Sequence, residues 1–213
     1  MKNEEILEMI KLLKKAYPDA TCSLNFETPF QLVIAVMLSA QCTDERVNKV
    51  TPKLFKRCKT IEDFANIDIK ELEQLIYTCG FYKNKAQNIK LCAKQILENF
   101  NGKVPSTYEE LMSLAGIGRK SANVIMLEVF DKAEGIAVDT HVKRISNLIG
   151  LTKNKEPEKI EQDLLKLFPK KYLKDINHIL VLHGRNCCIA RKPKCYTCPI
   201  KTYCNHFLIS QSK

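Results

Sequence analysis

A chain of 213 residues, 45% hydrophobic and 27% charged, has the composition of an ordinary globular protein and enough length for one large core or two small ones. No apolar run reaches the roughly 18 residues that a bilayer-spanning helix needs, and MKNEEILEMI at the start lacks the basic and apolar regions of a secretory signal, so a cytoplasmic location is expected and no membrane partner. Lysine and arginine number 34 against 24 acidic residues, and the net charge of +10 favours a polyanionic partner.

Helical spacing of apolar residues runs through almost the whole chain. Ile6, Ile10 and Leu13 form a first stripe. The longest apolar run, Leu32 to Leu38, reads as a buried helix, and Val47, Val50, Leu54 and Phe55 form the next stripe. Leu72, Leu75 and Ile76 follow, with Gly80 as a C-terminal stop. Ile89, Ala93, Ile96, Leu97 and Phe100 mark another helix, and Ser106 with Glu109 reads as a capping box for the one after it. Ser121 to Phe130 is helical in pattern, and Pro157 suits the first turn of a helix carrying Ile160, Leu164 and Phe168. No segment shows clear period-two alternation between turns, so the fold class is all-α. The best seam between domains lies near Asp131 to Gly135.

Ten cysteines in a small secreted domain would suggest disulfides, but a secretory signal is not expected here. Cys22, Cys42, Cys58, Cys79 and Cys92 are scattered through apparent helices and read as reduced, mostly buried thiols. The other five cluster near the C-terminal end.

Within that cluster Cys188, Cys195, Cys198 and Cys204 are spaced C-x6-C-x2-C-x5-C, four thiolates within 17 residues. Such a set suits a tetrahedral zinc ion or a [4Fe–4S] cluster. Zinc modules more often use two C-x2-C knuckles, and only Cys195 and Cys198 have that spacing here, so the pattern leans towards iron–sulfur. Cys187 leaves the register open, because it can replace Cys188. Arg191, Lys192, Lys194 and Lys201 lie among the ligands and Arg185 just ahead, and a loop so held would present cations to phosphates.

The second unusual segment is Leu114-Ala-Gly-Ile-Gly-Arg-Lys-Ser. Gly116 and Gly118 permit a tight turn and a close backbone approach, and a helix start after them would aim N–H groups at an anion. A nucleotide P-loop is excluded, since Arg119 stands where lysine must follow the last glycine and Ser113 where the first glycine must stand. A plain interhelical turn remains the simpler reading of the glycines alone. Lys120 could act as a nucleophile if its amine were deprotonated, a direction favoured by a helix N-terminus and by Arg119. On its own it is one more surface lysine. Asp139 in IAVDTHV reads first as a helix N-cap, and that role leaves one carboxylate oxygen able to stabilise a sugar cation or move a proton.

Taken in order, MLSAQCTDERVN, GFYKNKAQNI, LAGIGRKSANV, IAVDTHVKR and HGRNCCIARKPKCYTCPIKTYC resemble the bacterial endonuclease III family of helix-hairpin-helix DNA glycosylase/AP lyases, over essentially the whole chain. The resemblance implies an all-α fold of two helical domains flanking a DNA-binding cleft: a six-helix barrel over 22–132, and a cluster domain made of 1–21 plus 133–213. It implies double-stranded DNA containing oxidised pyrimidines or abasic sites as partner, and a monomer in the nucleoid. Lys120 would attack C1′ of a flipped nucleotide, with Asp139 stabilising the positive charge, and β-elimination through the Schiff base would nick the strand. The hairpin Leu114 to Gly118 would grip a phosphate through its N–H groups. Gln41 and Phe81 would fill the space the flipped base leaves. The cofactor would be a [4Fe–4S] cluster on Cys188, Cys195, Cys198 and Cys204, which chooses iron over zinc and Cys188 over Cys187. One departure stands out: Ala115 occupies a place where the hairpin often has proline, which implies a slightly looser hairpin.

A sister glycosylase that removes adenine uses a carboxylic acid where this chain has Ala35, and no catalytic lysine. A mismatch-specific thymine or uracil glycosylase differs mainly in pocket residues that the sequence does not place. A non-enzymatic DNA-binding protein, or an electron carrier, would have no need of Lys120 together with Asp139.

Overall fold

The computed structural model describes residues 2–211, and among these there are twelve α-helices, four short 3-10 turns and no strand. The chain is therefore all-α. It divides into two compact units, one of residues 22–131 and the other of residues 1–21 with 132–213.

In the unit 22–131 the central element is α2 (Pro29–Ser39), whose residues from Leu32 to Leu38 are all buried, as a helix that is apolar on every side must be. Thr28 caps it by accepting the Gln31 N–H, and Pro29 occupies the first turn, where its missing N–H costs nothing. Helices α3 (Asp44–Arg57), α6 (Tyr82–Phe100) and α8 (Arg119–Phe130) pack on α2. Helices α4 (Ile61–Asn66) and α5 (Ile69–Ile76) pack on α6, and α7 (Tyr108–Ser113) on α8. Val47, Leu54, Leu72, Ile76, Ile89, Ala93, Ile96 and Ile125 close one core with α2. Each large aliphatic side chain so buried contributes roughly 1.5–3 kcal/mol.

The other unit packs α1 (Asn3–Ala16), α9 (Thr140–Ile149), α10 (Pro157–Leu167), α11 (Leu173–Asn186) and α12 (Asn205–Gln211). Ile6, Ile10 and Leu13 are fully buried with Val142, Ile145, Ile160, Leu164, Ile176 and Leu180. Helix α11 approaches α9 closely at Gly184, where an added Cβ would stand 2.7 Å from His141 Cβ.

The structure corrects two local expectations. The cap of α7 is Thr107, not Ser106: its hydroxyl accepts the Glu110 N–H and donates to the Glu110 carboxylate at 2.7 Å, so the capping pair lies one residue downstream. Threonine at 107 and glutamate at 110 satisfy the same three-residue spacing as serine at 106 and glutamate at 109. Of the five scattered cysteines only Cys92 lies within an α-helix. Cys58, Cys79 and Cys92 are buried, whereas Cys22 and Cys42 are half-buried in loops.

Candidate functional site

The glycine segment connects α7 to α8 as a tight turn closed by the Ile117 N–H on the Leu114 carbonyl at 3.2 Å. Its two glycines have different reasons to be there. Gly116 has φ +77°, and a Cβ on it would lie 2.9 Å from Met37 Cε and 3.0 Å from Asn88 Cβ, so both backbone and packing demand glycine. Gly118 is extended at φ −102°, and nothing lies within 4 Å of where its Cβ would be. The fold would accept a side chain at 118, so the open space is available to a ligand approaching the backbone. Gly118 is the N-cap of α8 without any side-chain cap, which leaves the first-turn N–H groups of that helix directed outward.

Lys120 stands in that first turn and is exposed. Leu114, placed above among the DNA contacts, has its side chain in the core and its N–H on the Leu111 carbonyl. Its part in the hairpin is therefore structural, because a buried side chain and an occupied N–H leave nothing to offer a phosphate. The amide that alanine frees at position 115 is also used: Ala115 N–H donates to Gln95 Oε1 at 2.7 Å. A proline there could not make this bond, so Gln95 anchors the turn and the expected looseness is offset by α6.

Gln41 and Phe81 occupy two other loops of the same unit. Both are exposed and both are left-handed, at φ 53° and 46°, a conformation that costs a non-glycine residue roughly 1–2 kcal/mol. Phe81 is the N-cap of α6 and 65% exposed, so it is not a core residue. A bulky, strained, solvent-facing aromatic is the kind of outlier that accompanies a binding role.

Asp139 belongs to the other unit. It caps α9, with Oδ1 accepting the Val142 N–H at 2.8 Å, and among the described residues no hydrogen bond engages its other oxygen. The backbone leading to it is pinned by buried side chains: Ala137 N–H donates to Asn177 Oδ1 at 2.8 Å, and Ile136 N–H to Glu161 Oε1 at 3.2 Å. The carboxylate is thus held by secondary structure at one end and by a polar network at the other.

In the same unit, Cys187, Cys188, Cys195, Cys198 and Cys204 stand with His183 around one small pocket. All five thiols are free. Burial pushes the Cys198 thiol up to about 12, opposed by a backbone hydrogen bond at Ile200 and reinforced by Cys187 and Cys204; Cys188 is raised by burial and lowered by Arg144. Buried thiols that repel one another's negative charge need a cation before they can ionise together, and this is the demand a metal group meets. The donor set fits one. His183, Cys187 and Cys198 bring ligand atoms within 4.8 Å of one another, close to the spacing of a single tetrahedral ion, and Cys188, Cys195 and Cys204 line the same pocket.

His183, Tyr17 and Arg144 were not found from the sequence. His183 Nδ1 meets the Tyr17 hydroxyl at 3.0 Å, its Nε2 lies 3.7 Å from Cys198 Sγ, and burial lowers its pKa to about 4, so the ring is neutral. Arg144 on α9 donates to the carbonyls of Gly184 and Cys188 at 3.0 and 2.7 Å, and Cys204 Sγ donates to the Leu148 carbonyl. The cysteine loop is thereby tied to the helix that Asp139 caps. Arg185, Arg191, Lys192 and Lys194 are exposed around the same loop.

The HhH-GPD superfamily of base excision DNA repair proteins matches residues 34–170. The chain is 48% identical to endonuclease III of Synechocystis sp. over 95% of its own length and 93% of that protein, and 41% identical to endonuclease III of Escherichia coli K12 over 97% of each. The chain belongs to the endonuclease III family. Its fold is shared with the protein of a trapped endonuclease III–DNA covalent intermediate, at TM-score 0.93 and 39% identity over 99% of each chain. A thermostable thymine-DNA glycosylase at 21% identity and TM-score 0.87 is alike in fold alone. As a member of the endonuclease III family the chain is a bifunctional DNA glycosylase and AP lyase of base excision repair, and it binds DNA. The family carries an iron–sulfur cluster, in keeping with the thiol pocket described. Among the described residues no helix is long and apolar enough to cross a membrane.

Proposed function

We propose that this chain releases oxidised pyrimidines from double-stranded DNA and cleaves the resulting abasic site, with Lys120 as nucleophile and Asp139 as its carboxylate partner. The observation that carries the reading is the uncapped start of α8, where Gly118 leaves open space and Lys120 follows in the first turn, exposed. A phosphate bound to the N–H groups of Gly116 and Gly118 would bring one nucleotide within reach of the lysine amine.

The Lys120 amine attacks C1′, the N-glycosidic bond breaks and its electron pair leaves with the base. Loss of a proton from nitrogen and opening of the sugar give the Schiff base. Removal of a C2′ proton then expels the 3′ phosphate, and water releases the nicked strand from the lysine. Asp139, with one oxygen on the Val142 N–H, offers the other to the positive charge that develops on the sugar and to proton transfer. Gln41 and Phe81 occupy the space of the extruded nucleotide, which offsets an unstacking cost of a few kcal/mol. Arg185, Arg191, Lys192 and Lys194 contact phosphates.

Cys188, Cys195, Cys198 and Cys204 hold a [4Fe–4S] cluster, which when bound supplies the thiolate bonds that fix the loop 188–204. A second reading has one specific observation behind it: His183, Cys187 and Cys198 are close enough together for a single ion. Equimolar iron and acid-labile sulfide in purified protein supports the cluster, and zinc without sulfide supports the single ion. The enzyme works as a monomer on chromosomal DNA in the cytoplasm.

The test is borohydride trapping on a duplex containing thymine glycol, beside Lys120→Gln. A covalent adduct that the variant lacks is the expected result. Base release without an adduct would mean a monofunctional glycosylase, and neither would remove the catalytic assignment.

A further inference from the structure

The α6 helix carries a lysine that the reaction does not use and that solvent scarcely reaches. Lys85 is 7% exposed. It lies one turn into α6 from Phe81, whose carbonyl accepts the Lys85 N–H at 3.0 Å. Helical side chains lean towards the N-terminus, and this one reaches back past its own helix start. Its Nζ donates to the Cys79 carbonyl at 2.7 Å and to the Leu38 carbonyl at 2.8 Å.

These two acceptors are not arbitrary. The Leu38 carbonyl belongs to the last turn of α2, where helical carbonyls lack intrahelical partners and the helix dipole favours a cation. Cys79 closes the 3-10 turn before Gly80. Three residues beyond Leu38 stands Gln41, and two beyond Cys79 stands Phe81, both exposed and both in left-handed conformation. One buried ammonium therefore joins the bases of both loops. Burial lowers the Lys85 pKa, Cys42 and Cys79 act in the opposite sense, and the two carbonyl oxygens accept from the ammonium.

We propose that Lys85 is a positioning residue that clips the Gln41 and Phe81 loops together, so that the two side chains enter the duplex as one preorganised unit. The inference rests on the reading that Gln41 and Phe81 fill the vacated space. The thiols of Cys42 and Cys79, one from each loop, also meet in a hydrogen bond, but a thiol is a weak donor and acceptor, so the ammonium with its two carbonyl acceptors is the stronger link. Both residues are held in a strained backbone conformation that needs an anchor.

Native-state hydrogen exchange on the holoenzyme tests the clip without reference to DNA. In Lys85→Met, amide exchange at residues 40–43 and 80–82 is expected to rise together, at least tenfold, with α8 and α9 unchanged. Acceleration in only one loop, in neither, or equally throughout the protein would overturn the proposal. Should Lys85→Met fail to fold, Lys85→Gln, which keeps two donors on a shorter stem, is expected to give the same paired rise at smaller amplitude, and one-loop or uniform acceleration overturns it equally.

The functional arm uses 2-aminopurine beside the lesion as a probe of unstacking, with cleavage of a single-stranded abasic site as the control that requires no flipping. Lys85→Met is expected to reduce base release and the fluorescence rise on duplex at least tenfold while sparing single-strand cleavage. Gln41→Ala/Phe81→Ala serves as reference. If that double variant flips normally, the space-filling reading itself fails; if it is impaired and Lys85→Met is not, the clip alone fails.

Discussion

The glycine turn between α7 and α8 and the cysteine loop between α11 and α12 are both short irregular segments that expose positive character, yet they are held in different ways. The turn is fixed by its own chain: positive φ at Gly116, contact with Met37 and Asn88, and the Ala115 amide on Gln95. The loop has two 3-10 turns without a buried residue and is anchored at its edges by Arg144 and by the thiols lining its pocket. One is preorganised by packing, and the other asks for a group that binds its thiols. A phosphate grip can thus be built from sterics alone, whereas a cationic loop whose one buried aliphatic anchor is Ile200 needs cross-links.

That contrast can be broken at several points. The largest effect is expected at the loop. Cys198→Ser should prevent stable metal loading and make 188–204 the first segment cut by protease, with the amide protection of 114–118 unchanged, because metal binding free energy there is folding free energy. A loop that stays protected without metal would break the comparison. Next comes Gly116→Ala, which must place a Cβ 2.9 Å from Met37 Cε at φ +77°. Left-handed strain and overpacking together predict a loss of about 2–4 kcal/mol in denaturant unfolding.

Gly118→Ala sharpens the distinction between the glycines. Its stability should stay within about 0.5 kcal/mol of the parent, since the space is open. Its affinity for duplex DNA should fall about tenfold, as for the loss of one charge-assisted hydrogen bond of about 1.5 kcal/mol. Equal stability losses at both glycines would contradict the account. The smallest effect belongs to Gln95→Leu, which orphans the Ala115 N–H and should cost about 1 kcal/mol in stability, measured by the same unfolding curves.

Much of the fold was legible because helices announce themselves. The stripes at Ile6, Ile10 and Leu13 and at Ile160, Leu164 and Phe168 are buried as their spacing required, Pro157 opens α10, and Gly80 ends the turn after α5. The cap of α7 was misplaced by one residue because two overlapping pairs, Ser106 with Glu109 and Thr107 with Glu110, satisfy the same spacing. Asp139 was read correctly as a cap, since a carboxylate before a helix has a local signature. Lys85, Gln95, Arg144 and His183 had none. Each acts on a backbone or side chain distant in sequence, Lys85 on Leu38 and His183 on Tyr17, and such pairings exist only once the helices have packed. Leu114 looked like a contact residue because it borders the glycines, but an apolar side chain beside a turn is as easily a staple into the core.

One amine, that of Lys120, is proposed to perform the chemistry. Reducing the enzyme–DNA intermediate with borohydride, digesting it and mapping the cross-linked peptide by mass spectrometry tests this most directly, since the chain has lysines throughout. A single modified peptide with the sugar remnant on Lys120 is expected. Modification at any other lysine, or an adduct spread over several, would contradict it.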